Sequence, residues 1–209
     1  MKDYPSIPRA TGQGFREIDD CHVFDKPDGS SMRSQWSRKR GWYKHGRRQG
    51  LLDDSNPQLA AVPELFEAKL AGPLAQIAKA RGWDGLVVFY EFWGPHSLAG
   101  LHYPNDAMRL TVFDAAVEGD LEMMDPVRFR KVFEGWVDTA RYLGKVHWTR
   151  GYVERVRLGE VDGITFEGVV GKAQSFRGQI VRAKAKTQAW IDRVMQVHGE
   201  VAGRRLVES

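Results

Sequence analysis

Apolar and polar positions along the chain fall into short blocks that predict strands and longer periodic ones that predict helices. Leu86 to Trp93 is rich in Val, Phe and Tyr, and Arg109 to Val117 repeats that character, so both read as buried strands. His22 to Lys26 is a shorter strand candidate that ends at Pro27-Asp28-Gly29, residues suited to a tight bend. Ser30 to Gly41 reads as the return strand, and residues 46–57 as a polar, glycine-bearing loop. Ala60 to Arg81 reads as helix interrupted at Gly72-Pro73, where the proline suits the first turn of a second helix. Asp125-Pro126 opens another helix, with Asp125 as N-cap. Val127, Val132, Phe133, Trp136, Val137, Ala140 and Tyr142 broadly follow helical spacing from there to Gly144. Ile164 to Ala173 and Gln179 to Thr187 read as two further strands. Gln188 to Val207 carries Trp190, Ile191, Val194, Val197 and Val201 on one stripe, as a packed helix does. Residues up to about 20, with Pro5, Pro8, Gly12 and Gly14, read as an irregular or strand-containing lead-in. With no internal repeat or clear linker, the pattern predicts one α+β domain over residues 1–209, antiparallel sheets flanked by helices.

Composition narrows this picture only slightly. The 209 residues include 31 basic and 27 acidic ones, a net charge of +4 that is compatible with nucleic acid without requiring it. The placement of the charge says more. Arg33, Arg38, Lys39, Arg40, Lys44, Arg47 and Arg48 crowd one stretch, interleaved with Trp36, Trp42 and Tyr43. Basic residues among aromatics suit phosphate contact with base stacking, and equally describe a solvated hairpin face. Cys21 is the only cysteine, which excludes an intrachain disulfide and a thiolate zinc cage and fits a reducing cytoplasm. The six histidines show no metal-binding spacing. No apolar run reaches membrane-spanning length and no signal segment opens the chain, so the expectation is a cytoplasmic protein, in a host cytoplasm if phage-encoded.

The strand from Gln179 to Thr187 bears on chemistry. Side chains alternate, so Arg182, Lys184 and Lys186 share one face and Val181, Ala183 and Ala185 the other. That is how a phosphate-gripping strand in a covered sheet reads; by itself it also describes an amphipathic surface strand. Upstream, Phe24-Asp25-Lys26-Pro27-Asp28-Gly29 holds a Lys-x-Asp-Gly pattern. A lysine must be neutral to attack phosphorus, and at an ordinary pKa of ~10.4 only about one in a few thousand is neutral near pH 7. Neighbouring cations or desolvation enlarge that fraction.

Five segments, in order, resemble the motifs of the covalent nucleotidyltransferase superfamily, and within it the ATP-dependent RNA ligases. They are Lys26-Pro27-Asp28-Gly29, Tyr90-Glu91-Phe92-Trp93-Gly94, Val112-Phe113-Asp114, Glu167-Gly168-Val169-Val170-Gly171-Lys172 and Lys184-Ala185-Lys186. The resemblance implies a ligase-type fold of ATP-grasp-like antiparallel sheets, ATP and Mg2+ as cofactors, and Lys26 as the residue that takes AMP. It assigns Lys26, Glu167, Lys184 and Lys186 to catalysis, with Glu167 also at the metal. Asp25, Asp28, Arg40, Glu91 and Phe113 would bind the nucleotide together with Lys184 and Lys186: Glu91 at the ribose, Phe113 stacked on adenine, Arg40 on the AMP phosphate. Arg33, Arg38, Arg47 and Arg48 would hold nucleic acid. The implied partner is RNA with 5′-phosphate and 3′-hydroxyl ends.

Three departures shape the reading. Tyr90 stands where a glycine usually precedes the glutamate of the third motif. Ser31, five residues after Lys26, replaces the arginine usual in DNA ligases and capping enzymes, as a small polar residue does in RNA ligases. Few residues follow Lys186, so the expectation is a chain without an OB-fold domain, with a protein partner left to supply one. The alternatives are a nucleic-acid-end binding module reduced in catalysis, or a nucleotidyltransferase or DNA ligase with another acceptor.

Overall fold

The structure, a computed structural model, describes residues 1–8, 15–48, 50–53, 57–95, 99–100, 105, 107–120 and 123–208. His96, His102, Gly12, Gly14 and parts of the 46–57 loop lie outside them. The strands are β1 (Ile18–Lys26), β2 (Ser30–Ser37), β3 (Gly41–Arg47), β4 (Gly85–Trp93), β5 (Arg109–Val117), β6 (Tyr142–Trp148), β7 (Gly168–Gln174) and β8 (Ile180–Lys186). The α-helices are α1 (Val62–Phe66), α2 (Gly72–Ala80), α3 (Pro126–Phe133), α4 (Arg150–Leu158) and α5 (Gln188–Glu208). This is an α+β fold with two antiparallel sheets, and the chain divides into two compact units.

The first unit comprises Met1–Pro5, Gly29–Gly94 and Ala107–Thr139, with strand order β3-β2-β4-β5. One face of its sheet is apolar by alternation: Met32 and Trp36 on β2, Leu86, Val88 and Tyr90 on β4, all buried. Phe66 of α1 packs there, 4.8 Å from the Trp42 ring and 5.2 Å from Tyr90. Tyr90 keeps its hydroxyl satisfied on Ser34 Oγ at 2.9 Å, and Ser34 Oγ meets His45 Nδ1 at 2.8 Å. Glu67–Ala71, between α1 and α2, is a widened π-helical turn. Pro73, which has no N–H to donate, enters at the first turn of α2.

The second unit comprises Ser6–Asp28, Pro95–Asp106 and Ala140–Ser209, with strand order β6-β1-β7-β8. Its apolar face carries Cys21, Val23, Val169, Ala183 and Ala185 and is packed by Val153 and Val156 of α4 and by Trp148. Gly171 makes room for this: a Cβ there would lie 2.6 Å from Cys21 Sγ and 2.8 Å from the Trp148 ring. Burial pushes the Cys21 thiol up to about 12, so it is no nucleophile.

Several sequence expectations are corrected here. The helix expected from Asp125 to Gly144 stops at Phe133, and Tyr142–Trp148 is instead an edge strand paired with β1. Helix α4 follows it and has no counterpart in the sequence reading. The strand expected from Ser30 to Gly41 ends at Ser37, and β3 runs into the segment read as loop. The stripe of α5 buries Trp190 and Val194 but leaves Val197 and Val201 exposed, and the helix breaks at Gly199, where φ is 75°.

Candidate functional site

Chemistry-bearing side chains gather on the polar face of the second sheet. Register pairs Lys26 with Gly168 and Gly168 with Lys186, while Val170 pairs with Lys184 and Lys172 with Arg182. All of these lie on the face opposite Ala183 and Ala185, as alternation along β8 predicts. Glu167 enters this cluster from the start of β7. Its carboxylate takes a hydrogen bond from Lys26 Nζ on Oε2 at 2.7 Å and approaches Lys186 Nζ with Oε1 at 3.3 Å. Glu167 is buried, Lys184 is buried, and Lys26 keeps 23% of its side chain exposed. One carboxylate thus sits between two ammonium groups, and the reacting candidate is the more accessible of the two. Lys186 Nζ also lies 4.1 Å from the Trp190 ring centre, a cation–π contact.

Two glycines set this geometry. Gly168 has φ of 149°, and a Cβ there would lie 2.1 Å from the Ala185 carbonyl oxygen, so only glycine lets Glu167 turn in beside Lys186. Gly29 passes the end of β4 so closely that a Cβ would lie 2.3 Å from the Phe92 carbonyl oxygen.

Asp28 is buried, and its Oδ2 accepts the Ala99 amide at 2.8 Å. Oδ1 has no hydrogen-bond partner among the described residues; the equally buried Trp190 Nε1 favours its charge from outside hydrogen-bonding geometry. Desolvation first, and the nearby Glu167 charge second, raise the Asp28 pKa above the ordinary carboxylate value. An orphaned buried carboxylate oxygen near a second carboxylate is an oxygen donor set that fits a hydrated hard cation, which takes few protein ligands beside water and phosphate. Among the described residues no group of three or more His, Cys, Asp or Glu could hold a metal by itself.

Asp25, expected at the nucleotide, does not share the face of Lys26. Alternation turns it to the face opposite Lys26, and its carboxylate takes the Thr165 amide at 2.9 Å and the Thr165 hydroxyl. It fastens the segment that delivers Glu167. Thr187 holds the same segment from the other side: its amide donates to Glu167 O at 2.9 Å and its hydroxyl to Phe166 O at 2.7 Å. That hydroxyl also accepts the Trp190 amide at 3.1 Å, as an N-cap does. The sequence reading passed over Thr165 and Thr187. A threonine immediately before a predicted helix was the available signal for the second; a Thr165 contact 140 residues from its partner left none.

Glu91 and Phe113 belong to the first unit. Glu91 is buried on β4, with Ser31 and Thr111 as its register partners. Phe113 is the extra residue of a β-bulge, since Phe89 pairs with Asp114 and Tyr90 with Val112. The bulge turns Phe113 and Asp114 toward Tyr4, whose ring meets Phe113 edge-on at 5.1 Å and whose hydroxyl donates to Asp114 at 3.0 Å. Phe113 stays half-buried.

The basic stretch is dispersed rather than gathered. Arg33, expected to contact nucleic acid, is 3% exposed, donates to Lys2 O at 2.7 Å and pairs with Asp3. Arg38, Lys39 and Arg40 sit exposed at the β2–β3 turn. There Arg38 Nε donates to Asp84 at 2.9 Å and Arg40 lies 4.3 Å over the Tyr43 ring. Arg47 and Arg48 lie at the far end of β3, about 20 Å away at the usual rise per residue.

Comparison with solved structures decides what this fold is. An archaeal ATP-dependent RNA ligase superposes with a TM-score of 0.67 at 18% identity, over 94% of this chain and 51% of its own. The fold is that of ATP-dependent ligases. An Aquifex aeolicus protein assigned as an ATP-dependent DNA ligase matches with a TM-score of 0.64 at 20% identity, over 91% of this chain and 51% of its own. A Naegleria gruberi RNA ligase variant with ATP and Mn matches with a TM-score of 0.59 at 16% identity, over 84% and 52%. The chain therefore spans about half the length of the solved ligases it matches. No protein-family model matches the sequence, and comparison with curated proteins finds no match. Among the described residues no helix is long and apolar enough to cross a membrane.

Proposed function

We propose that the chain is the adenylyltransferase part of an ATP-dependent RNA ligase. The observation that carries the reading is Glu167 bridging Lys26 and Lys186 on a face shared with Lys184, inside a ligase fold. ATP is a substrate in this scheme. Neutral Lys26 Nζ attacks the α-phosphorus, forming a P–N bond as the bond to the β-phosphate oxygen breaks and pyrophosphate leaves. Glu167 holds the Lys26 ammonium beforehand, and the proton that Lys26 loses before attack passes through the Glu167 carboxylate to solvent. Lys184 and Lys186 neutralise the α-phosphate oxygens, on which charge accumulates. A 5′-phosphate oxygen of the acceptor then attacks the same phosphorus, and Lys26 leaves with its electron pair. A 3′-hydroxyl finally attacks the activated 5′-phosphorus and releases AMP. Glu167 and Asp28 are the residues that would hold magnesium, which supplies charge neutralisation at phosphate. Glu91 takes the ribose hydroxyls and Phe113 the adenine face.

The test is intact mass of the purified chain with and without ATP and magnesium, followed by peptide mapping. The expected result is an AMP adduct on Lys26, lost in Lys26→Ala with the fold retained. No adduct under any divalent metal, or an adduct on another lysine, overturns the mechanism. Supplying nicked RNA and nicked DNA to the charged protein separates the two acceptors.

A further inference from the structure

The face of the first sheet that carries Glu91 continues beyond it into a second built feature. Trp93 lies two residues past Glu91 on β4 and so shares its face, a step of about 6.8 Å. Its register partner is Arg109, which is exposed and holds its guanidinium 5.1 Å from the indole centre. The indole is not free to turn. Its Nε1–H donates to Thr111 Oγ1 at 2.9 Å, and the Thr111 hydroxyl donates in turn to Asp138 Oδ2 at 2.8 Å. Thr111 is itself the register partner of Glu91. The face therefore presents a row: Phe113 at the bulge, then Glu91 with Thr111, then Trp93 with Arg109. Thr111 thus orients the indole and stands beside Glu91.

A half-buried indole with its N–H satisfied and an exposed guanidinium over it suits a planar base next to a negatively charged phosphate. Bases stack on indole and on guanidinium planes, and the remaining guanidinium donors match phosphate oxygens. We propose that Trp93 and Arg109 form a subsite for the terminal nucleotide of a 5′-phosphorylated strand, with Arg109 on the phosphate and the base against the stacked pair. This rests on the nucleotide reading of Glu91 and Phe113, since it sets the acceptor nucleotide one position beyond the AMP ribose on the same face. Arg109, exposed on this face, thereby supplies the 5′-phosphate recognition.

The experiment measures binding by fluorescence anisotropy with one short labelled RNA in 5′-phosphate and 5′-hydroxyl forms, and a DNA of the same sequence. Lysyl-AMP formation is followed in parallel by intact mass. The wild-type chain should prefer the 5′-phosphate form. Arg109→Gln should erase that preference, a loss of about tenfold for one charge-assisted phosphate contact. Arg109→Lys should restore part of it, and Trp93→Leu should weaken both forms by about tenfold, the scale of one stacking interaction. All three variants should form lysyl-AMP at the wild-type rate. A preference that survives Arg109→Gln overturns the subsite, as does a fall in lysyl-AMP formation that tracks the loss of binding. A wild type that forms no adduct yet loses its 5′-phosphate preference in Arg109→Gln sinks the ligase reading and leaves the subsite standing.

Discussion

The β7–β8 hairpin and the β2–β3 hairpin are both rich in cations, and they handle them in opposite ways. On β7–β8, Lys172, Arg182, Lys184 and Lys186 are held on one face, with Glu167 set between Lys26 and Lys186. On β2–β3, Arg33 is turned inward onto Asp3, the Arg38 to Arg40 group is exposed at the turn, and Arg47 and Arg48 lie at the opposite end. Cations close in sequence become a site only where strand alternation gives them one face and a buried carboxylate lowers the cost of their proximity. A run of adjacent basic residues in a strand is split between faces by the same alternation. The first hairpin gathers its cations on one face around a single carboxylate, and the second spreads them along its length.

Substitutions can break this comparison. The largest effect is expected at Gly168, where alanine meets the Ala185 carbonyl and a backbone conformation open mainly to glycine. Gly168→Ala should cost about 3 kcal/mol of stability, the upper end for such a position, and should abolish lysyl-AMP formation by displacing Glu167. Urea denaturation read beside intact mass checks both, and a stable, active variant would show that Glu167 placement does not depend on this turn.

Arg33→Met comes next. It should cost about 2 kcal/mol, the worth of charge-assisted hydrogen bonds removed from a buried group, and leave the salt dependence of RNA binding unchanged. If the salt slope falls instead, Arg33 reaches phosphate and the contrast between the hairpins weakens.

Asp28 separates chemistry from stability. Its native pKa is raised, so between the unfolded value near 3.8 and the native one the folded chain binds more protons than the unfolded chain. Stability from this group is thus present at low pH and lost as pH rises through the native pKa. Asp28→Asn keeps an acceptor for the Ala99 amide and removes that loss. It should be more stable than wild type at pH 7, by an amount that shrinks as pH falls toward 4 in denaturation curves, while lysyl-AMP formation drops. Equal stability across the range would mean that Asp28 is solvated better than its burial implies.

The smallest effect on folding is expected at the β2–β3 turn. Replacing Arg38, Lys39 and Arg40 together with alanine should leave stability within about 0.5 kcal/mol, as surface changes do. It should lower the salt slope of RNA binding by about 0.7 for each single-strand phosphate that is no longer neutralised. Replacing Arg47 and Arg48 instead reports on the far end of β3, and additive slopes would mean that both ends touch one extended strand.

Local periodicity was enough to determine much of this molecule. The buried character of β4 and β5, the two faces of β8, the caps at Asp125 and Pro126 and the bend at Pro27-Asp28-Gly29 all follow from residue types a few positions apart. The order of Lys26, Glu91, Phe113, Glu167, Lys184 and Lys186 pointed to a ligase-type fold, which the structure shares. What only the tertiary structure decided depends on partners distant in the chain. Tyr142 continues the helical spacing that starts at Val127, yet pairing of Tyr142–Trp148 with β1 makes this segment a strand. That Asp25 holds Thr165 and that Arg33 pairs with Asp3 likewise depends on partners far along the chain. In each case the local preference is worth a fraction of a kcal/mol per residue, and a ladder of sheet hydrogen bonds or a charge-assisted hydrogen bond from a buried group outweighs it.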